Sequence, residues 1–172
     1  MGEMDVQLLT DYFYRYGSIV IFIIVFLEYL NLPGFPAGVI MPLAGIWASK
    51  GGIGFVWALL LSVLAGLCGS WVLYLLGRYG GDFVLKKYIN KHPKHQELIE
   101  RIMERLRRGG YLGLFFGKLI PMFRTVISIP AGILKLNFVW YSVFSGLGIL
   151  VWNLVFVGAG YYFGDVVLNM FT

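Results

Sequence analysis

The chain has 172 residues, of which 59% are hydrophobic and 13% charged, and its mean hydropathy is +0.77. These values exclude an ordinary soluble domain and predict an all-α integral membrane protein, a single membrane domain over residues 1–172. The net charge of +5 does not indicate a nucleic-acid partner, because the basic residues cluster in one segment that apolar runs flank and that has no nucleic-acid-binding motif.

The first predicted element is residues 4–16. Apolar side chains are interspersed there with polar ones, a pattern typical of a helix that lies in the membrane interface: Val6, Leu8, Leu9, Tyr12, Phe13 and Tyr16.

The next segment, residues 18–50, is apolar but is broken by one carboxylate and three prolines: Glu28, Pro33, Pro36 and Pro42. Proline removes a backbone donor and clashes with the preceding turn, and hydrocarbon offers no water to the groups that are released. Such a break is tolerated only where protein or a wet cavity covers it. We therefore predict a re-entrant hairpin, and a kinked helix that spans the membrane is the alternative.

Two uninterrupted apolar stretches, 53–77 and 136–164, meet the roughly 20 residues that a spanning helix needs. A second broken segment, 111–134, precedes the latter and carries two charges and two prolines: Lys118, Pro121, Arg124 and Pro130. By the same reasoning it predicts a second re-entrant hairpin, again with a kinked spanning helix as the alternative.

Nine of the fourteen basic residues lie between Arg78 and Arg108. The positive-inside rule places this segment on the cytoplasmic side. Residues 82–108 predict one or two amphipathic surface helices, broken near His92 and Pro93. No further ligand lies at metal-binding spacing from His92 and His95. We therefore predict that both are ordinary surface residues and that they form no metal site.

The chain contains an internal repeat. FVWA at 55–58 recurs as FVWY at 138–141, and GRYGGD at 77–82 recurs as GYYFGD at 160–165, both at an offset of 83 residues. A unit with one full crossing must be inverted relative to its successor. The two hairpins would then enter from opposite faces, with their tips meeting near the midplane. With the basic segment cytoplasmic, both termini lie outside, whereas a spanning helix at about 12–32 would place the amino terminus inside.

Glu28, Lys118 and Arg124 are the ionisable residues placed deepest in apolar sequence. Charges at this depth cost a few kcal/mol each, so they face a cavity or a partner unless they snorkel to the interface. We predict that the three converge where the hairpins meet and that a phosphate competes for the two cations. The prolines and glycines of the hairpins allow close backbone approach: Pro33, Gly34, Pro36, Gly38, Pro42, Gly45, Pro121, Pro130 and Gly132.

Enzyme motifs are absent from the sequence. It has no phosphate-binding loop of the Walker type, no HExxH, no GxSxG elbow and no paired acids at a useful spacing. These absences predict a protein that is not an enzyme, binds no cofactor and does not pump at the expense of ATP by itself.

Three motifs resemble the DedA family, also described as the SNARE-associated Golgi protein or VTT-domain superfamily: LEYLNLPGFPAGVIMPLAG at 27–45, GLCGSWVLYLLGRYGG at 66–81 and FFGKLIPMFRTVISIPAGILKLNF at 115–138. The resemblance implies a multi-pass protein of the bacterial inner membrane with two opposed re-entrant hairpins. It further implies lipid translocation between leaflets, recycling of undecaprenyl phosphate and dependence on the proton motive force.

The resemblance also assigns roles to single residues. Glu28 matches the family's first acidic position and Arg124 its second arginine, while Lys118 replaces the first arginine. Gly38 stands where many members have an acid, and Ser70 stands where an aspartate is frequent. Any proton-coupling role therefore falls on Glu28 alone.

The leading hypothesis is a flippase-like or scramblase-like transporter of a phosphate-headed lipid, undecaprenyl phosphate first and a glycerophospholipid second. A proton-coupled transporter of small solutes and a non-transporting membrane assembly factor are the alternatives. The sequence leaves the cargo, the direction of transport and a homo-oligomer open.

Overall fold

The computed structural model describes residues 3–30, 40–49, 53–91, 96–121 and 123–171, and no strand occurs within these ranges. Their helices, in chain order, are α1 (Glu3–Tyr29), α2 (Ile40–Ser49), α3 (Phe55–Lys91), α4 (Gln96–Lys118), α5 (Phe123–Val126), α6 (Ser128–Ile133) and α7 (Phe138–Phe171). The all-α class predicted from the sequence is confirmed.

Two of these helices contain apolar stretches long enough to cross a bilayer. They are Phe55–Gly81 in α3 and Phe138–Gly164 in α7, each 27 residues long. At 1.5 Å per residue each stretch is about 40 Å long, more than the roughly 30 Å of hydrocarbon in a membrane. The sequence predicted these two helices at 53–77 and 136–164.

Two glycines with positive φ end the apolar part of α3 and begin that of α4. Gly81 has φ 47° and ψ −134°, and Gly110 has φ 53° and ψ −132°. A β-carbon disfavours this backbone conformation, whereas glycine adopts it freely. Both glycines therefore allow the chain to change direction sharply, and α3 and α4 each consist of two helical arms that meet at a kink.

The part of α4 that precedes Gly110 is amphipathic. Ile99, Ile102 and Leu106 are buried against the rest of the protein, and the charged residues are exposed: Glu97, Glu100, Arg101, Glu104, Arg105, Arg107 and Arg108. This arm lies within the predicted surface segment 82–108. The break predicted near His92 and Pro93 lies outside the described residues, as does His95.

The two proline-broken segments differ in what the structure describes. Helix α1 runs without interruption from Glu3 to Tyr29, across the boundary that the sequence predicted between 4–16 and 18–50. Nothing at Gly17 or Ser18 removes a backbone donor, so the helix has no local reason to end there. The second segment is divided after Lys118 by a turn, and α5 and α6 follow.

Helix α2 packs closely against the end of α7. A β-carbon at Gly45 would overlap the carbonyl oxygen of Val157 and lie 2.8 Å from the amide nitrogen of Tyr161. Reciprocally, a β-carbon at Gly160 would overlap the carbonyl oxygen of Pro42. The two backbones touch at glycines of both helices, as small-residue contacts in membranes do.

Helix α6 packs against α3 in the same manner. A β-carbon at Gly132 would overlap the carbonyl oxygen of Tyr74, and one at Gly77 would overlap the carbonyl oxygen of Ile129. Gly77 and Gly160 stand at the offset of the internal repeat. At these two glycines, each long helix thus packs against a short helix that is distant from it along the chain.

The outer surface of the protein is apolar, and its interior contains polar side chains. Large apolar side chains cover the outer surface of α3 and α7, among them Trp57, Leu60, Leu64, Leu75, Val139, Trp140, Val143, Leu147, Leu154 and Val155. The interior holds buried polar and charged side chains: Glu28, Ser62, Ser70, Lys118, Arg124, Thr125, Ser128, Ser145 and Asn153. An outer surface this apolar is suited to lipid and not to water, so the fold is that of a membrane protein.

Alanine substitution tests the glycine contacts. We expect Gly77→Ala to lower thermal stability in detergent by about 1–3 kcal/mol, because its methyl group would overlap the backbone at Ile129. Gly158→Ala in α7 is the matched control, since open space lies beside that glycine. Unfolding followed by tryptophan fluorescence measures both, and equal stability of the two variants would contradict the proposed packing.

Candidate functional site

A buried ion pair joins the end of α1 to α5. The Nη2 atom of Arg124 donates to the Oε1 atom of Glu28, and both side chains are 1% exposed. A buried charge without a partner costs several kcal/mol, so each residue depends on the other for its position. The ion pair thereby connects the two proline-broken segments of the chain.

Two aromatic rings enclose the guanidinium of Arg124. Its central carbon lies 4.8 Å from the ring centroid of Tyr29 and 5.1 Å from that of Trp152. Both distances are within the range of cation–π attraction. The Nη1 atom also donates to the Tyr29 hydroxyl at 3.4 Å. Arg124 is therefore fixed from α1 and from α7 at once.

A chain of hydrogen bonds continues from Tyr29 across the interior. The Tyr29 hydroxyl donates to Oδ1 of Asn153 at 3.3 Å, and Nδ2 of Asn153 donates to Oγ of Ser62 at 3.0 Å. The Ser62 hydroxyl in turn donates to the carbonyl oxygen of Leu59 at 2.8 Å. These bonds link α1, α7 and α3 through polar groups in an apolar setting, where they determine how the helices align.

Lys118 occupies a second polar cluster. Its Nζ atom donates to Oγ of Ser70 and to Oγ of Ser128, each at 2.9 Å, and the residue is 1% exposed. The Tyr141 hydroxyl donates to the carbonyl oxygen of Ser70 at 3.0 Å, which holds this part of α3 against α7. The aliphatic part of Lys118 packs against Gly148, where an added β-carbon would lie only 2.6 Å from the β-carbon of Lys118.

The two clusters differ in electrostatic balance. Arg124 has a carboxylate partner, whereas Lys118 has two neutral hydroxyls and no acidic partner within the described part of the chain. Hydroxyl groups solvate an ammonium group but do not neutralise it. The interior thus carries an uncompensated cation when Lys118 is protonated, and an anion would be stabilised beside it.

Donors without partners lie beside the ion pair. Within the described residues, Nε of Arg124 and Nε1 of Trp152 are buried and have no hydrogen-bond acceptor. Unpaired buried donors are rare in folded proteins. Because the guanidinium and the indole are adjacent, both can donate to an oxygen-rich group such as a phosphate, or to water.

The structure brings Glu28 and Arg124 into direct contact and places Lys118 in a neighbouring cluster with different partners. The burial of Lys118 and Arg124 excludes snorkelling for both. Of the predicted hairpin residues, Pro42 and Gly45 lie in α2, Pro130 and Gly132 lie buried in α6, and Pro121 is exposed in the turn before α5. Four further predicted residues lie outside the described ones: Pro33, Gly34, Pro36 and Gly38.

Sequence reasoning missed Tyr29, Ser62, Trp152 and Asn153 and gave Ser70 no contact. The internal repeat could have found Ser62 and Asn153, because polar residues within the two apolar stretches recur at its offset. Ser62 corresponds to Ser145 and Ser70 to Asn153, and all four are buried. Polar positions that recur inside spanning helices indicate functional or packing sites.

Comparison with known proteins places the chain among membrane proteins of bacteria. The VTT domain matches residues 33–162. Undecaprenyl phosphate transporter A of Staphylococcus aureus is 29% identical over 86% of this chain and 74% of its own length. The Bacillus subtilis protein of the same name is 33% identical over 76% of this chain and 66% of its own.

Inner membrane protein YqjA of Escherichia coli is 30% identical over 84% of this chain and 66% of its own length. The chain therefore matches 66–74% of the length of these relatives. No solved structure matches it significantly.

The buried ion pair predicts strong coupling between its members. We expect Glu28→Gln and Arg124→Met each to lower the free energy of unfolding by about 3–5 kcal/mol, because each leaves the other charge without this partner. The double variant should lose less than the sum of the two by about 0.5–3 kcal/mol. Unfolding in mixed detergent micelles measures this cycle, and strictly additive losses would show that the pair does not act as a unit.

Lys118→Met should behave differently. Replacing a buried charge that has no counter-ion among the described residues with an apolar side chain of similar length removes a desolvation cost. We expect the free energy of unfolding to stay within about 1 kcal/mol of the parent or to rise, in contrast to Arg124→Met. A loss as large as that of Arg124→Met, in the same unfolding experiment, would refute the idea that Lys118 is retained at a cost to stability.

Proposed function

Because the chain belongs to the VTT-domain family, we propose that it moves a phosphate-headed lipid between the leaflets of a bacterial inner membrane. The observation that carries the proposal is Lys118, a buried lysine that donates to two hydroxyls and has no acidic partner among the described residues, beside the Arg124–Glu28 pair. The names of two relatives make undecaprenyl phosphate the first candidate cargo, with a glycerophospholipid second.

The Lys118 cluster has the donors that a phosphate requires. A lysine ammonium has three N–H groups, and the two serine oxygens use two of them, so one remains for a ligand. The hydroxyls of Ser70 and Ser128 can each turn their own proton toward an anion. A compact anion such as a phosphate monoester would therefore complete the coordination of the lysine and neutralise it.

We assign Glu28 a role in proton coupling. The carboxylate neutralises Arg124 only while it is ionised, so a proton on Glu28 would release the guanidinium to bind phosphate in a two-pronged way. Arrival of a proton and arrival of the anionic head group would then favour each other. Such linkage is one physical route by which a proton gradient drives movement of a lipid.

The proposed topology follows the internal repeat. Segments 18–50 and 111–134 would be re-entrant hairpins that enter from opposite faces, each followed by a spanning helix of the inverted repeat. In support, α2 packs on α7 at Gly160 and α6 packs on α3 at Gly77, and these two glycines of the long helices stand at the offset of the repeat. The basic segment 78–108 would lie on the cytoplasmic side.

Transport in proteoliposomes tests the function. We expect the parent to move a fluorescent undecaprenyl phosphate analogue between leaflets and Lys118→Met to reduce the rate at least about tenfold, a loss of about 1.4 kcal/mol or more in transition-state stabilisation. Lys135→Met, the same substitution at an exposed lysine, is the matched control.

The same vesicles distinguish the alternatives. An imposed proton gradient should accelerate the parent but not Glu28→Gln. Equal rates of lipid transport for the parent and Lys118→Met would refute the proposal that Lys118 forms the phosphate site. A small-solute transporter would leave the lipid analogue unmoved and show solute uptake instead, and an assembly factor would show neither activity.

A further inference from the structure

A groove of about 830 Å³ lies between the two arms of α4 and continues to the start of α5, and we name it the α4 groove. One wall is the amphipathic arm before Gly110, and the other is formed by the following residues: Leu112, Gly113, Phe116, Gly117, Ile120, Phe123 and Ile127. The arms touch at Gly113, where a β-carbon would lie 3.0 Å from the carbonyl oxygen of Arg105. The groove is therefore built by the reversal of the chain at Gly110.

The rim of the α4 groove is charged and carries one unneutralised cation. Arg101 pairs with Glu97 and Arg108 pairs with Glu104, each one helical turn apart. Arg105 lies between them on the rim and has no acidic partner among the residues that the structure describes. An occupant should therefore carry negative charge at this end.

The opposite wall is apolar and open. Leu112 and Phe116 are each 61% exposed, and Ile120 and Phe123 extend the same surface. A groove with a cationic rim and an apolar wall fits an amphipathic molecule. The volume is within the range of ligand sites and exceeds the space that a lone inorganic anion fills.

The floor of the groove lies next to the Lys118 cluster. Gly117 and Ile127 line the floor, and they immediately precede Lys118 and its partner Ser128 in the chain. A β-carbon at Gly117 would overlap the side chain of Ile127, so these two residues close the floor. Lys118 and Ser128 thus directly follow residues that line the groove.

We propose that the α4 groove binds a phosphate-headed lipid from the adjacent leaflet, with its head group on Arg105 and its chain along Leu112 and Phe116. This inference rests on the proposed function in that the groove is where the cargo docks before it reaches Lys118. It makes Arg105 a docking residue, in contrast to the buried cations. The charge at the rim and the apolar wall together select a lipid over a free anion.

Equilibrium binding tests the groove. The full chain in dodecyl maltoside is titrated with dioleoyl phosphatidic acid, and bound lipid is counted by native mass spectrometry. Arg105→Gln should weaken binding about tenfold, the loss of one charge-assisted contact. Arg107→Gln is the matched control because Arg107 is exposed on the same arm but does not line the groove, and it should stay within about twofold of the parent. Equal affinities for the two variants would overturn the proposal.

Two further variants separate a lipid from a free anion and docking from transport. Phe116→Asn should weaken binding of the lipid, and inorganic phosphate should compete poorly. If phosphate competes as well as the lipid and Phe116→Asn has no effect, the commitment to a lipid is wrong. Lys118→Met should still bind the lipid at Arg105 while failing to transport it.

Failure of the groove and failure of the proposed function give different results. If the parent transports the lipid and Arg105→Gln changes neither binding nor transport, the groove inference fails alone. If binding depends on Arg105 but the parent moves no lipid in vesicles, the docking site stands and the transport function fails.

Discussion

Burial of positive charge inside a lipid-facing fold is the constraint on which the rest of the structure depends. Removing a guanidinium or an ammonium from water costs several kcal/mol of hydration free energy, and apolar surroundings do not compensate for that loss. A carboxylate and two aromatic rings stabilise the buried charge of Arg124, whereas two hydroxyls stabilise that of Lys118. The helices must approach closely enough to bring these partners together, and the glycine contacts of α2 with α7 and of α6 with α3 allow that approach.

The two polar clusters are related by the internal repeat but are chemically unequal. Ser70 in α3 and Asn153 in α7 stand at equivalent positions, and each accepts a hydrogen bond from a residue of a proline-broken segment. Asn153 belongs to a cluster in which acid and base balance, whereas Ser70 serves a lysine that has no acid in the described part of the chain. Within the described residues, one cluster is therefore neutral and the other is cationic when Lys118 is protonated.

The sequence predicted much of this fold because lipid imposes strong rules. The two long apolar helices, the helical class and the buried positions of Glu28, Lys118 and Arg124 all follow from the cost of exposing polar groups to hydrocarbon. The contacts of those charges did not follow, because side-chain pairing across the interior depends on helix register, which composition does not encode. Tyr29 and Trp152 look like ordinary apolar positions in the sequence, and their role around Arg124 emerges only when α1, α5 and α7 meet. The uninterrupted course of α1 past Gly17 was missed because an amphipathic pattern and an apolar one were interpreted as separate elements.

The reciprocal packing of the short helices has a consequence for biogenesis. The glycine face of α3 at Gly77 is synthesised before α6, and the face of α2 at Gly45 is synthesised long before α7. Until its partner helix has been inserted, each of these faces exposes backbone carbonyls that the partner later covers. The contact of α3 with α6 can form once Ile133 has been inserted, whereas α2 must await nearly the whole chain before it can pack against α7, so this second contact is the last step of assembly.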